Sequence, residues 1–164
     1  MNKDKEYAID KIWGNESANL QNEIIELWMA HGVLTKEQAE DRVRQVFCIG
    51  RDKSGKIVGV GTIYPQYNNQ LENSFYYYRS FVAPDHRQAA LATNLLKFTR
   101  DALNEMFVKG INTRFIGMLV EVENEHIKKF RNHGVWPNTG FVYIGKNNRG
   151  DHVRVYYFEG ARIS

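Results

Sequence analysis

Phe75-Tyr76-Tyr77-Tyr78-Arg79-Ser80-Phe81-Val82-Ala83-Pro84-Asp85-His86-Arg87-Gln88-Ala89-Ala90-Leu91-Ala92-Thr93-Asn94-Leu95-Leu96 is the stretch on which the fold turns. Phe75 to Ala83 is aromatic on both faces, which suits a long strand. Pro84-Asp85-His86 stops it. From about Ala89 to Phe107 the apolar residues Leu91, Leu95, Leu96, Phe98, Ala102, Leu103 and Met106 recur at helical spacing, and Gly110 closes that helix. Phe115 to Val122 then reads as another strand. A strand, a helix and a strand in succession need a crossover, so Phe75–Val122 predicts a parallel pair.

Upstream, Tyr7 to Trp13 is a short strand. A helix follows, capped by Asn15 or Ser17, with Leu20, Ile24, Ile25, Leu27 and Trp28 on one side and Gly32 at its end. Thr35 and Gln38 stand at capping-box spacing and open a second helix to about Gln45. Val46–Arg51 and Ile57–Tyr64 form a hairpin across Asp52-Lys53-Ser54-Gly55. Downstream, Asn124 to Asn132 is a short helix, and Phe141–Lys146 and Val153–Phe158 close the chain as a hairpin. The order β-α-α-β-β-β-α-β-α-β-β predicts an α+β fold, a mixed, mostly antiparallel seven-stranded sheet flanked by about four helices. It excludes a doubly wound sheet.

At 164 residues the chain has the length of one domain, and no linker or repeat divides it. A net charge of +3, with basic residues scattered, argues against a nucleic-acid face. Cys48 is the only cysteine, so no disulfide or cysteine-based zinc site forms within the chain. His126 and His133 lack the spacing of a metal pair, and no metal is expected. Neither a leader nor an apolar stretch of about 20 residues is present, so the expectation is a cytoplasmic protein without membrane contact.

Two glycine-rich segments mimic nucleotide motifs. Gly50-Arg51-Asp52-Lys53-Ser54-Gly55-Lys56-Ile57 nearly spells a P-loop, but Ile57 stands where Mg²⁺ needs Ser or Thr, and a strand follows instead of a helix. Gly59-x-Gly61 lacks the third glycine of a dinucleotide fingerprint.

The start of the helix after Pro84 is different. A helix N-terminus offers unpaired N–H groups and partial positive charge. Ala89, Ala90 and Ala92 let an anion come close to that backbone, and Arg87 adds a full charge, which together suit a diphosphate. The same residues also suit a plain alanine-rich helix packed under the sheet.

Val82-x-Pro84-x-x-Arg87-x-x-Ala90-x-Ala92-x-x-Leu95 resembles the acetyl-CoA signature of the GNAT N-acetyltransferases, V-x-P-x-x-(R/Q)-x-x-G-x-(G/A)-x-x-L, and the element order is similar over nearly the whole chain. The resemblance implies that Phe81 and Val82 bind the pantetheine arm of acetyl-CoA or another acyl-CoA. It implies that Arg87, Gln88, Ala89, Ala90, Leu91 and Ala92 hold the pyrophosphate, that Asn124 meets the pantetheine amides, and that Phe130 packs near the cofactor. Asn124 is also a good helix cap in its own right. Three departures stand out. Ala90 occupies the usual glycine position, Arg131 the position of a tyrosine that protonates the thiolate, and Tyr78 that of a carboxylate base. Tyr78, Glu121 and Glu123 are the first catalytic candidates, beside Glu72, Tyr76, Tyr77 and Tyr143, and Arg79 is a candidate for the acceptor. The expected activity is transfer of an acyl group to a primary amine of a small molecule or peptide, with a homodimer admitted. The alternative is a GNAT-shaped module that binds acyl-CoA without turnover.

Overall fold

A computed structural model describes residues 6–87 and 90–163 of the chain. Gln88 and Ala89, both expected at the cofactor, lie outside the described residues. The elements are β1 (Ala8–Lys11), α1 (Ala18–Ala30), α2 (Lys36–Arg42), β2 (Val46–Arg51), β3 (Ile57–Asn68), β4 (Asn73–Val82), α3 (Leu91–Val108), β5 (Phe115–Val122), α4 (Glu125–Phe130), β6 (Val142–Lys146) and β7 (His152–Tyr157). They match the expected order, four helices and a seven-stranded sheet.

Local chemistry sets the helix ends. Ser17 Oγ accepts the Leu20 N–H at 3.1 Å, so Ser17 caps α1. That helix ends as a Schellman motif, with Gly32 at φ +63°, its N–H donating to Met29 O and the Val33 N–H to Trp28 O. The Thr35–Gln38 capping box forms in both directions. Expected to reach Gln45, α2 instead ends at Arg42 in a 3₁₀ turn over Val43–Gln45, because Val46 already begins a strand.

Sheet neighbours run β1-β2-β3-β4-β5-β7-β6. The pairs β1–β2, β2–β3, β5–β7 and β6–β7 are antiparallel, and β4–β5 is the expected parallel pair, with Tyr76 opposite Met118 and Tyr78 opposite Val120. The nucleotide-like segment at 50–57 is a hairpin turn, in which Asp52 Oδ1 accepts from the Ser54 N–H, the Ser54 hydroxyl and the Lys56 N–H. One strand is longer than expected: β3 continues past Tyr64 and through Pro65 to Asn68. The Tyr64 and Tyr77 rings, 5.4 Å apart, and the bond from Asn68 Nδ2 to Tyr77 Oη support this extension.

The backbone divides into two compact units, one running to Ile63 with Ser80–Thr99, the other Tyr64–Arg79 with the chain from Arg100 onward. Ile24, Trp28, Val43, Ile49 and Val60 centre the core of the first, and Phe75, Tyr77, Leu119, Val153 and Val155 that of the second. Among the described residues no helix is long and apolar enough to cross a membrane.

Candidate functional site

In the first unit β4 ends at Val82, which is buried, and Ala83 leaves the strand with its N–H donating to Val58 O at 2.8 Å. Pro84–His86 form a single 3₁₀ turn. Arg87 then folds back over it: Nε donates to Val82 O at 3.0 Å and Cζ lies 5.8 Å from the centre of the Phe81 ring. The side chain is thereby oriented while the residue stays exposed. Before it, the Tyr7 hydroxyl and His86 Nδ1 are 2.8 Å apart, a tie between the first strand and this turn. Ala90 opens α3 by accepting the Asn94 N–H at 2.9 Å, and Ala90 and Ala92 are exposed. Phe81, Val82, Arg87, Ala90, Leu91 and Ala92 therefore occupy one strand end, turn and helix start.

What seats this helix start is a feature absent from the sequence expectations. Leu91 and Leu95 are buried against Gly50 and Gly59. A Cβ on Gly50 would stand 2.9 Å from Leu91 Cδ1, and one on Gly59 would stand 3.0 Å from Leu95 Cδ1. The glycines that imitate nucleotide motifs thus serve close approach of helix and strand. Beneath lies Cys48, fully buried, with Sγ 3.4 Å from Thr99 Oγ1. Burial pushes its thiol up to about 11, against smaller opposing hydrogen bonds from Thr99 and Gly61.

The second unit holds the other candidates. Tyr78 is buried on β4. Arg79 places its guanidinium 4.5 Å from the centre of the Tyr64 ring. Asn124 caps α4, its Oδ1 accepting the N–H groups of His126 and Ile127, which leaves only its amino group as a donor to another molecule. Phe130 is exposed, its ring 4.7 Å from that of His126. The helix stops there, short of the expected Asn132, because Arg131 leaves the helical region (φ −120°, ψ 52°) and gives its carbonyl to Trp136 Nε1.

Glu121 and Glu123 differ. Glu121 accepts from Asn147 Nδ2 at 2.6 Å and Arg149 Nη2 at 3.4 Å, inside the network that closes the β6–β7 turn. Asp151 shares that network. Burial works to raise its carboxyl, but bonds from Asn147, Arg149 and Lys128 outweigh this and hold it below the usual range. Glu123 is exposed at the end of β5. Side chains alternate along a strand, so Tyr78 shares a face with its partner Val120, and Glu121 points the other way.

A family model described as the acetyltransferase (GNAT) family matches residues 13–134. No curated protein matches the sequence. Among solved structures, a GNAT-family acetyltransferase from Streptococcus pneumoniae is similar over 94% of this chain and 100% of its own, with TM-score 0.65 and 12% identity. One from Listeria monocytogenes covers 93% and 95%, with TM-score 0.60 and 14% identity. A Brucella melitensis GNAT acetyltransferase, solved with acetyl-CoA, covers 96% and 92%, with TM-score 0.55 and 15% identity. The strand end, Arg87 turn and helix seat described above lie within the matched segment. The chain therefore belongs to the GNAT acetyltransferase family, whose general reaction is acyl-CoA-dependent acyl transfer.

Proposed function

We propose that this protein is an N-acyltransferase that moves an acetyl or other acyl group from acyl-CoA to a primary amine of a small molecule or peptide. The observation that carries the reading is the Arg87 turn. Its Nε is committed to Val82 O while the residue stays exposed, in the turn that precedes a helix carrying the exposed Ala90 and Ala92 at its start. That arrangement suits a diphosphate, for which the aligned N–H groups and the guanidinium supply donors and charge.

Transfer from a thioester needs a polarised carbonyl, a neutral amine and a proton for the departing thiolate. In this reading the backbone at Val82 serves the carbonyl and the Tyr78 hydroxyl returns the proton. Glu123, exposed at the end of β5, takes the amine's proton directly or through water. Asn124 donates an N–H of its side-chain amide to the pantetheine arm, and Phe130 offers it an apolar surface.

Calorimetry with acetyl-CoA, followed by thiol release across a panel of amines, tests the proposal. Reversing the charge by Arg87→Glu should weaken acetyl-CoA binding by about tenfold or more; unchanged affinity would remove the pyrophosphate from this turn. A second reading, a module that binds acyl-CoA without turnover, draws on Tyr78 and Arg131 standing where the family has a carboxylate and a tyrosine. Binding with no thiol release on any amine would favour it.

A further inference from the structure

Arg154 lies in the middle of β7, flanked by the core residues Val153 and Val155, and is 1% exposed. Its Nη2 reaches Arg131 O at 3.3 Å, whereas Nε and Nη1 are buried with no acceptor among the described residues. Among the described residues it joins no ion pair, and the neighbouring acids are engaged elsewhere: Glu125 and Asp151 hold Lys128, while Asp151 and Glu121 hold Arg149. A buried charge is normally paired and hydrogen-bonded, and arginine cannot escape by losing its proton. We infer that Arg154 is the seat of a carboxylate carried by one of the two reactants, an assignment that rests on the acyltransferase reading above.

The surroundings favour that group. The guanidinium carbon is 4.4 Å from the centre of the Trp136 ring and 5.8 Å from that of Tyr143. Rings this close narrow the approach to the unused N–H groups. Nε and Nη1 each share an edge with Nη2, so a flat carboxylate can take two parallel bonds from one of them and the second N–H of Nη2, while a tetrahedral phosphoryl group demands more room. Tyr143 is 39% exposed, so the wall of this box reaches solvent. The local field is positive as well: after burial, the charges of Lys146, Arg154 and Lys128 hold His152 below its ordinary value.

Register ties the seat to a catalytic candidate. Tyr78 pairs with Val120, Val120 with Arg154 and Arg154 with Tyr143, so all four form one cross-strand row on one face. Tyr78 and Arg154 are two strand spacings apart, roughly 10 Å at the backbone. That is the reach of a small molecule bearing its carboxylate a few bonds from the reacting centre. The carrier is either an amino-acid-like acceptor or the acyl chain of a dicarboxylic acyl-CoA.

Two measurements decide. In protein with ¹⁵N-labelled arginine, sodium acetate should move the Arg154 Nε–H resonance saturably, and sodium chloride at equal ionic strength should not. No movement, or equal movement with chloride, overturns the seat. In thiol-release assays, amino acids are compared with their amides as acceptors, and succinyl-CoA with acetyl-CoA as donors. The wild type should favour the carboxylate form in one arm by about tenfold to a hundredfold, and Arg154→Met should abolish that ratio. The arm that responds names the carrier. No carboxylate preference in either arm, or one that survives in Arg154→Met, overturns the assignment. If thiol is released from no pair, the acyltransferase reading fails by itself, and the resonance titration still judges Arg154. An apolar replacement of an uncompensated buried charge tends to fold. Should Arg154→Met not fold, Arg154→Lys, which keeps the charge without the fork, is expected to retain only part of the ratio, and full retention overturns the assignment.

Discussion

His152 and Tyr78 each carry a consequence that one substitution reveals. His152 is held below its ordinary value by partial burial and by the cations Lys146, Arg154 and Lys128. Between its folded pKa and the unfolded value near 6.5, the unfolded chain binds more protons, so stability rises with pH across that window and falls as pH drops through it. Asp52 and Asp151 are depressed instead, so their contributions are lost only as pH falls below about 3.8. Melting temperature should therefore decline from pH 7 towards pH 5, and His152→Gln should flatten part of that slope. For Tyr78, removing the hydroxyl in Tyr78→Phe should lower kcat by about 10²-fold with acetyl-CoA binding retained, the loss typical of a missing general acid. Legibility differed sharply between residues. Arg87 stands out as a candidate because helix-start chemistry and a motif coincide there. Arg154 was not, since a charge inside an alternating strand looks in sequence like a solvent-facing position. Only the loop carrying Trp136, folded over it, makes that face an interior.

On β5, Gly117 leaves no room for a side chain. A Cβ on Gly117 would overlap the carbonyl oxygen of Tyr156 on β7, and a backbone atom can yield only if the strands move. Gly117→Ala should cost about 3 kcal/mol, the upper end of ordinary overpacking, read from the urea midpoint. Gly59→Ala meets the flexible ends of Leu91 and Leu95 instead and should cost less in the same assay. Most elements could be read from caps and periodicity, as Ser17, the Thr35–Gln38 box and Asn124 show. The errors fell at element ends, where side chains beyond the element take part. Contacts of Tyr77 with Tyr64 and Asn68 accompany the extension of β3, and Arg131 gives its carbonyl to Trp136, five residues on, as α4 ends.

For the whole molecule, the strand-helix-strand crossover was enough to choose a mixed sheet, and the remaining strands then had few places to go. The acceptor was illegible because no local motif encodes it. Acetyl-CoA at about 100 times its Kd should add about 2.7 kcal/mol of stability, which for a domain of this size raises Tm by roughly 5–11 °C. Calorimetric scanning with and without acetyl-CoA checks this, and an unchanged Tm would count against binding.

Cys48 bears on how the activity is to be measured. It is the chain's only thiol, fully buried, with a pKa of about 11, so at neutral pH almost none of it is thiolate. A colorimetric thiol reagent added to the native protein would therefore register any liberated CoA against a silent protein background. The same silence makes the natural sequence a ready host for labelling: one cysteine introduced on the surface would take a fluorophore alone.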